Sequence, residues 1–108
     1  MSDFIKINNQ RVKHTSGYEI FSAGRLFYGY QYGSDDYRIF TENGWNPKLN
    51  ENYIYIYISD IYDRFEKKIN ISNEHKNEII EKVILGVRQM TTFTIITVDE
   101  TGKETVLS

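Results

Sequence analysis

Tyrosine is the residue type in this sequence best suited to binding, and it occupies 9 of 108 positions. Six of the tyrosines form two sets in which members are spaced two residues apart, namely Tyr28, Tyr30 and Tyr32, and Tyr53, Tyr55 and Tyr57. Because successive side chains of a β-strand point to opposite faces, each set lies along one face of a strand. Such a stripe is either an exposed binding surface, since tyrosine offers a large contact area with a polar tip, or a partly buried aromatic ladder that stabilises the sheet.

The second set indicates which face it occupies. Ile54, Ile56 and Ile58 alternate with its tyrosines, which makes residues 53–58 the clearest strand in the chain. If the isoleucine face packs on the rest of the core, the tyrosine face points outward.

Stacking on the bases of single-stranded nucleic acid is a third use of such stripes, but it also needs a cationic groove. The chain has 13 Lys and Arg against 15 Asp and Glu, which gives a net charge of −2. Nucleic-acid-binding domains usually carry a basic excess. We therefore expect no nucleic-acid partner, and a nucleic-acid-binding module stays the alternative from a different functional class.

Candidates for catalysis or metal binding are few. The chain has no cysteine, so it offers no thiolate nucleophile or thiolate zinc site, and its 2 histidines, His14 and His75, have no metal-ligand spacing. The glycines form neither a dinucleotide-binding nor a P-loop pattern. We expect no catalytic site, no metal and no cofactor, so the protein is predicted not to be an enzyme.

Acidic residues lie in the predicted loops that flank the tyrosine strands. Asp35 and Asp36 are adjacent, but Ca²⁺ needs about six to eight oxygen ligands and no calcium-loop pattern is present. A solvated turn is the favoured interpretation of this pair, and charge complementarity to a basic partner is the alternative. If the tyrosine faces are open, we expect loop acids and tyrosines to form a partner-binding site made of Asp35, Asp36, Asp60, Asp63, Glu66, Tyr28, Tyr30, Tyr55 and Tyr57.

Trp45 is the single tryptophan and follows Asn43-Gly44, a dipeptide typical of tight hairpin turns. An indole beside a turn either closes the end of the core or serves as an anchor in an interface. Of these two interpretations, the sequence favours the core.

One helix is predicted over residues 73–89, with Ser72 or Asn73 as its N-cap. Its apolar residues recur at helical spacing and form one stripe, which consists of Ile79, Ile80, Val83, Ile84 and Val87. Residues 93–98 are apolar on both faces, as in a central strand, and residues 103–107 are predicted to be the final edge strand. Residues 59–71 are compatible with either a short helical turn or an irregular segment.

Further strands are predicted near residues 4–7, 11–14, 18–21, 25–32 and 37–42. The expected fold is therefore α+β, with a mainly antiparallel sheet and one principal helix packed on one face in two layers. Residues 1–108 fit a single domain. Met1-Ser2-Asp3 opens without a basic and apolar leader, and no apolar run approaches the roughly 20 residues of a membrane span, so we expect a cytoplasmic protein with no membrane partner.

About a third of the chain, residues 53–88, resembles bacterial immunity proteins of polymorphic-toxin and contact-dependent growth-inhibition systems. The similarity is to the immunity protein 74 family, and its segments are Asp63-Arg64-Phe65-Glu66, Ile69-Asn70-Ile71-Ser72 and Lys76-Asn77-Glu78-Ile79-Ile80-Glu81-Lys82-Val83. The resemblance implies a cytosolic, non-enzymatic inhibitor that binds a cognate toxin domain, and many such toxins are nucleases with basic clefts. A small phage-type inhibitor is the alternative within the same class, and the oligomeric state is left open.

Overall fold

The computed structural model describes residues 3–107, so Met1 and Ser2, on which part of the leader expectation depends, lie outside the described residues. Its elements in chain order are β1 (Phe4–Asn8), β2 (Arg11–His14), β3 (Glu19–Ser22), β4 (Phe27–Tyr32), β5 (Asp35–Asn46), β6 (Glu51–Tyr57), β7 (Ile61–Asp63), β8 (Lys68–Ile69), α1 (Asn73–Met90), β9 (Thr94–Val98) and β10 (Glu104–Leu107). The predicted α+β class, with one helix on a mainly antiparallel sheet, is confirmed. No helix within residues 3–107 combines the length and apolar character needed to cross a bilayer.

The sheet has the strand order β1-β2-β3-β4-β5-β6-β9-β10. All neighbours along this path are antiparallel except β6 and β9, which are parallel because α1 lies between them in sequence and returns the chain to the same end of the sheet. Strand β5 is 12 residues long and joins the strands β1–β4 to the strands β6, β9 and β10. Its residues 35–40 pair with β4, and its residues 41–46 pair with β6.

The two faces of the sheet differ in what covers them. On the face that we call the helix face, the register places Val12, Ile20 and Tyr30 side by side across β2, β3 and β4. Helix α1 packs on this face, and its buried residues join those strand residues in one core cluster. No helix of residues 3–107 lies over the opposite face, which we call the open face.

Helix α1 begins where the sequence predicts. The Ser72 Oγ accepts a hydrogen bond from the backbone N–H of His75 at 3.2 Å and thereby caps the first turn. Four members of the predicted apolar stripe are buried and Ile84 is half-buried. The stripe therefore forms the contact between helix and sheet, as expected from its spacing.

Two glycines set how closely other groups approach β3. On the helix face, a Cβ at Gly86 would lie 2.4 Å from Cγ1 of Ile20. On the open face, a Cβ at Gly29 would lie 2.3 Å from the ring of Phe21. Because real Cβ atoms do not approach this closely, any larger residue would force the helix or the ring away from the sheet.

The predicted turn at Asn43-Gly44 is wrong. Both residues lie inside β5, and the connection to β6 falls at residues 47–50, where Asn50 adopts φ 50°. A Cβ at Gly44 would lie 2.8 Å from Cε2 of Tyr55, so this glycine makes room for a cross-strand ring. The favoured core position of Trp45 is also wrong, because its side chain is 61% exposed near the tip of this hairpin.

The ambiguous region 59–71 contains neither a helical turn nor a wholly irregular path. It forms the short strands β7 and β8, of which β7 pairs with β5 and β8 pairs with β7. Ile61 is buried in the core cluster, which explains why this segment stays on the sheet.

Replacing Gly86 by Ala tests the close packing between helix and sheet. Alanine is intrinsically the better helix former by about 1 kcal/mol, but the added methyl group overpacks against Ile20 and should cost about 1–3 kcal/mol. We therefore expect G86A to lower the free energy of unfolding in urea denaturation followed by circular dichroism. The neighbouring Leu85→Ala, at a half-exposed position, serves as the control and should change stability less. A G86A protein more stable than wild type would contradict this packing.

Candidate partner-binding surface

The structure separates the residues predicted to bind a partner into three groups. Tyr28 and Tyr30 lie on the helix face, whereas Tyr55 and Tyr57 lie on the open face. The third group lies at the β4–β5 turn and around β7 and the turn that follows it, and consists of Asp35, Asp36, Asp60, Asp63 and Glu66. The nine residues therefore do not form one continuous surface.

The first tyrosine set serves the packing between helix and sheet. Tyr30 is only 2% exposed, so the expectation that it contributes contact area to a partner is not met. The Lys82 ammonium group from α1 lies over the rings of Tyr18, Tyr30 and Tyr32, at 5.1, 6.0 and 5.7 Å from their centroids. Tyr28 is half-buried on the same face, and burial raises the pKa of both Tyr28 and Tyr30. The chain itself supplies the cation that these rings attract.

Two of the predicted loop acids have cationic partners within the chain. Asp36 pairs with Arg38 at 2.5 Å, and Asp60 pairs with Lys68 at 3.1 Å. Their charges are therefore partly compensated before any partner arrives.

Asp63 has a structural role in the turn after β7. Its carboxylate accepts hydrogen bonds from the backbone N–H groups of Phe65 and Lys67, at 2.8 and 3.0 Å. Glu66 lies in this turn with φ 66°, and its side chain is exposed.

An open groove of about 540 Å³ lies between the β4–β5 turn and the turn that follows β7. Asp35, Asp36 and Asp63 line it together with Phe65, which is 67% exposed. Tyr37 lies beside Asp35, and its pKa is raised first by burial and then by this carboxylate. The structure thus brings three of the five predicted acids together, and Asp36 and Asp63 already have partners within the chain.

The second tyrosine set projects from the open face, as the isoleucine alternation predicts. Ile54 and Ile56 are buried in the core, while Tyr53, Tyr55 and Tyr57 are half-buried on the other side of β6. The stripe of tyrosines continues onto the neighbouring strands. Tyr55 is in register with Ile96 of β9, and Ile96 is in register with Val106 of β10.

Three glutamates border this stripe, and the sequence analysis did not single them out. Glu42 is the register partner of Tyr55, Glu104 that of Val98, and Glu51 is the first residue of β6. All three glutamates are exposed. We call the open-face positions of residues 42–46, β6, β9 and β10 the tyrosine face.

Two tyrosine hydroxyls donate hydrogen bonds to these carboxylates. Tyr53 donates to Glu51 at 2.7 Å, and Tyr57 donates to Glu42. The bond to Glu42 is the largest cause that raises the pKa of Tyr57, to about 12. The bond to Glu51 is likewise the largest cause that raises the pKa of Tyr53. Both hydroxyls therefore stay neutral donors near neutral pH.

The tyrosine face carries negative charge without compensation. None of the ion pairs formed within residues 3–107 involves Glu42, Glu51 or Glu104. Strand alternation places no lysine or arginine on this face, so its charged side chains are the three glutamates. The arrangement offers aromatic contact area and hydrogen-bond acceptors to a basic surface.

The two histidines are engaged in packing. His14 stacks on Tyr18 with ring centroids 4.6 Å apart, and His75 meets the ring of Tyr37 edge-on at 6.1 Å. Across the described part of the chain, no group of three or more His, Asp or Glu side chains is placed to hold a metal ion.

Comparison with known proteins gives no match: no family model fits the chain, and neither a curated protein nor a solved structure is significantly similar to it. The resemblance to immunity proteins therefore stays a hypothesis.

The hydrogen bond between Tyr57 and Glu42 predicts an unusual titration. At about pH 11, an ordinary tyrosine is about 90% ionised, whereas Tyr57 should still be mostly neutral because ionisation would place two negative charges together. In Glu42→Gln the acceptor is uncharged, so the Tyr57 pKa should fall towards the ordinary value. Carbon-13 NMR of the tyrosine Cζ atoms measures both midpoints, with Glu51→Gln as the control that should affect Tyr53 instead. An unchanged Tyr57 midpoint in the Glu42→Gln protein would contradict the assigned bond.

Proposed function

We propose that the protein is a cytoplasmic bacterial immunity protein that binds a cognate toxin domain, of the nuclease type, and neutralises it by covering its basic active cleft. The observation that carries this proposal is the tyrosine face, an uncovered sheet face with half-buried tyrosines and three uncompensated glutamates. The resemblance of residues 53–88 to immunity proteins supports the same class of function.

Electrostatics explain why such a face suits a nuclease. A cleft that binds the phosphates of nucleic acid is lined by lysine and arginine. Carboxylates at a complementary surface form charge-assisted hydrogen bonds with those groups and increase the association rate. Binding across the cleft excludes the nucleic acid, so no chemistry by the inhibitor is required.

The tyrosines supply the other part of the binding energy. Tyrosine is enriched among the residues that dominate protein–protein affinity, because its ring buries a large area and has few rotatable bonds. Tyr53 and Tyr57 are further restrained by their bonds to Glu51 and Glu42. Such restraint lowers the entropy lost when a partner binds.

A nucleic-acid-binding module is the second candidate, and one feature favours it. On the open face, the guanidinium groups of Arg11 and Arg38 lie over the ring of Phe21, at 4.1 and 4.9 Å from its centroid. Both arginines already pair with carboxylates, however, and the three glutamates next to the tyrosine stripe would repel a phosphate backbone. The immunity function is therefore preferred, and a phage-type inhibitor would use the same physics against a different target.

Co-expression with a toxin domain tests the proposal. The probe is the C-terminal domain encoded by the gene adjacent to this one, produced in a bacterial host with and without the protein. We expect the domain alone to stop growth and the protein to restore it, and the purified pair to elute as one complex in size-exclusion chromatography. The destabilised variant Val83→Asp should give no protection, since it places a charge in the core.

Two results would count against this function. One is a toxic domain that the folded protein neither binds nor inhibits. The other is tighter binding to a single-stranded oligonucleotide than to the toxin domain, which would favour the nucleic-acid-binding module.

A further inference from the structure

The open face contains a recurring arrangement of guanidinium, aromatic ring and carboxylate. Arg11 lies over the Phe21 ring and pairs with Glu19 at 2.9 Å. Arg38 lies over the same ring and pairs with Asp36. On this half of the open face, the chain supplies all three components itself.

On the tyrosine face, the open-face positions of residues 42–46, β6, β9 and β10 supply rings and carboxylates but no guanidinium. Rings and carboxylates are combined in Tyr53 with Glu51 and in Tyr57 with Glu42. In neither combination does a cationic side chain of residues 3–107 pair with the carboxylate.

The structure also provides space for an incoming side chain beside Glu51. An open groove of about 530 Å³ runs past Glu51, Tyr53, Phe93 and Val106. Glu51 accepts the Tyr53 hydroxyl through Oε2 alone, and Oε1 has no hydrogen-bond partner among residues 3–107. Val106 is 65% exposed, so the groove has an apolar wall as well as a charged end. Arg88 also lines the groove, but it forms no ion pair with Glu51.

We infer that the tyrosine face is the docking surface for a basic protein partner, and that an arginine of the partner occupies the groove between Glu51, Tyr53 and Phe93. This inference rests on the proposed function, which it deepens by assigning the interface and its anchor. A guanidinium fits better than an ammonium group because it is planar, stacks on aromatic rings and bonds a carboxylate with two N–H groups. The loop groove near Asp35, Asp36 and Asp63 is the competing surface. It is less suited because Asp36 pairs with Arg38, Asp63 accepts two backbone N–H groups of its own turn, and Arg64 also lines that groove.

A small guanidinium probe tests the groove without any toxin. Isotope-labelled protein is titrated with N-acetyl-argininamide and followed by amide NMR shifts, with N-acetyl-lysinamide as the matched ammonium probe. We expect shifts at Glu51, Tyr53, Thr94 and Val106 that are larger for the arginine compound and are lost in Glu51→Gln. The exposed loop acid gives the control variant, Glu66→Gln, which should behave as wild type. Shifts that are absent from the groove, or centred on Asp35, Asp36 and Asp63, would overturn the inference.

The toxin domain then separates this inference from the proposed function. Glu51→Lys should weaken binding of the toxin domain by about tenfold or more, and increased salt should weaken wild-type binding, whereas Glu66→Lys should leave affinity near wild type. A toxin domain that binds Glu51→Lys as tightly as wild type overturns the assigned surface while leaving the function intact. If the guanidinium probe binds in the groove but the toxin domain does not bind the protein, the proposed function is wrong and the assigned groove stands. Each variant is first shown to be folded by its amide NMR spectrum.

Discussion

A single helix of 18 residues spans about 27 Å, whereas the protein measures 43 Å along its longest axis, so α1 covers only part of one sheet face. Because the helix is short, the rest of the sheet surface must be shielded by side chains of the strands themselves. Isoleucine and valine concentrate on the helix face, where Ile20, Val83 and Ile56 are fully buried. The close approach of helix and sheet at Gly86 makes that contact efficient, because it lets Ile20 fill the space that another side chain would occupy.

Within residues 3–107, no second layer lies on the open face, so its side chains must shield one another. On the half near β3, the chain does so with arginines laid over Phe21 and paired with carboxylates. The long alkyl stems of arginine cover apolar surface while the charged groups stay in contact with water. On the other half, Tyr55 and Tyr57 lie in register with the buried Ile96 and Val98. The hydroxyls of Tyr53 and Tyr57 bond to exposed glutamates. In the first half the arginines are paired with carboxylates, whereas the charged side chains of the second half are glutamates. This difference is the physical basis for proposing a basic partner for the second half.

The two tyrosine sets show how far sequence reasoning reaches. Both have the same two-residue spacing, yet Tyr30 lies under the helix while Tyr55 faces away from it. The alternation with isoleucine indicates which face the second set occupies, whereas the first set alternates with Gly29 and Gln31, which do not indicate the buried side. The prediction of a turn at Asn43-Gly44 is wrong for a related reason. Glycine is needed there by the ring of Tyr55, a residue on another strand, and local turn preference could not reveal that requirement.

The sequence by itself determined the elements whose pattern is local. The capped helix follows from Ser72 and the apolar stripe, and the strand β6 follows from strict alternation, because helical and strand periodicities are properties of neighbouring residues. Only the tertiary structure decided which residues meet across strands. The placement of Glu42 beside Tyr55, and of Glu104 beside Val98, depends on strand register and on the parallel pairing of β6 with β9. Register is set by contacts between residues distant in sequence, so the negative charge of the tyrosine face could not be read from any local pattern.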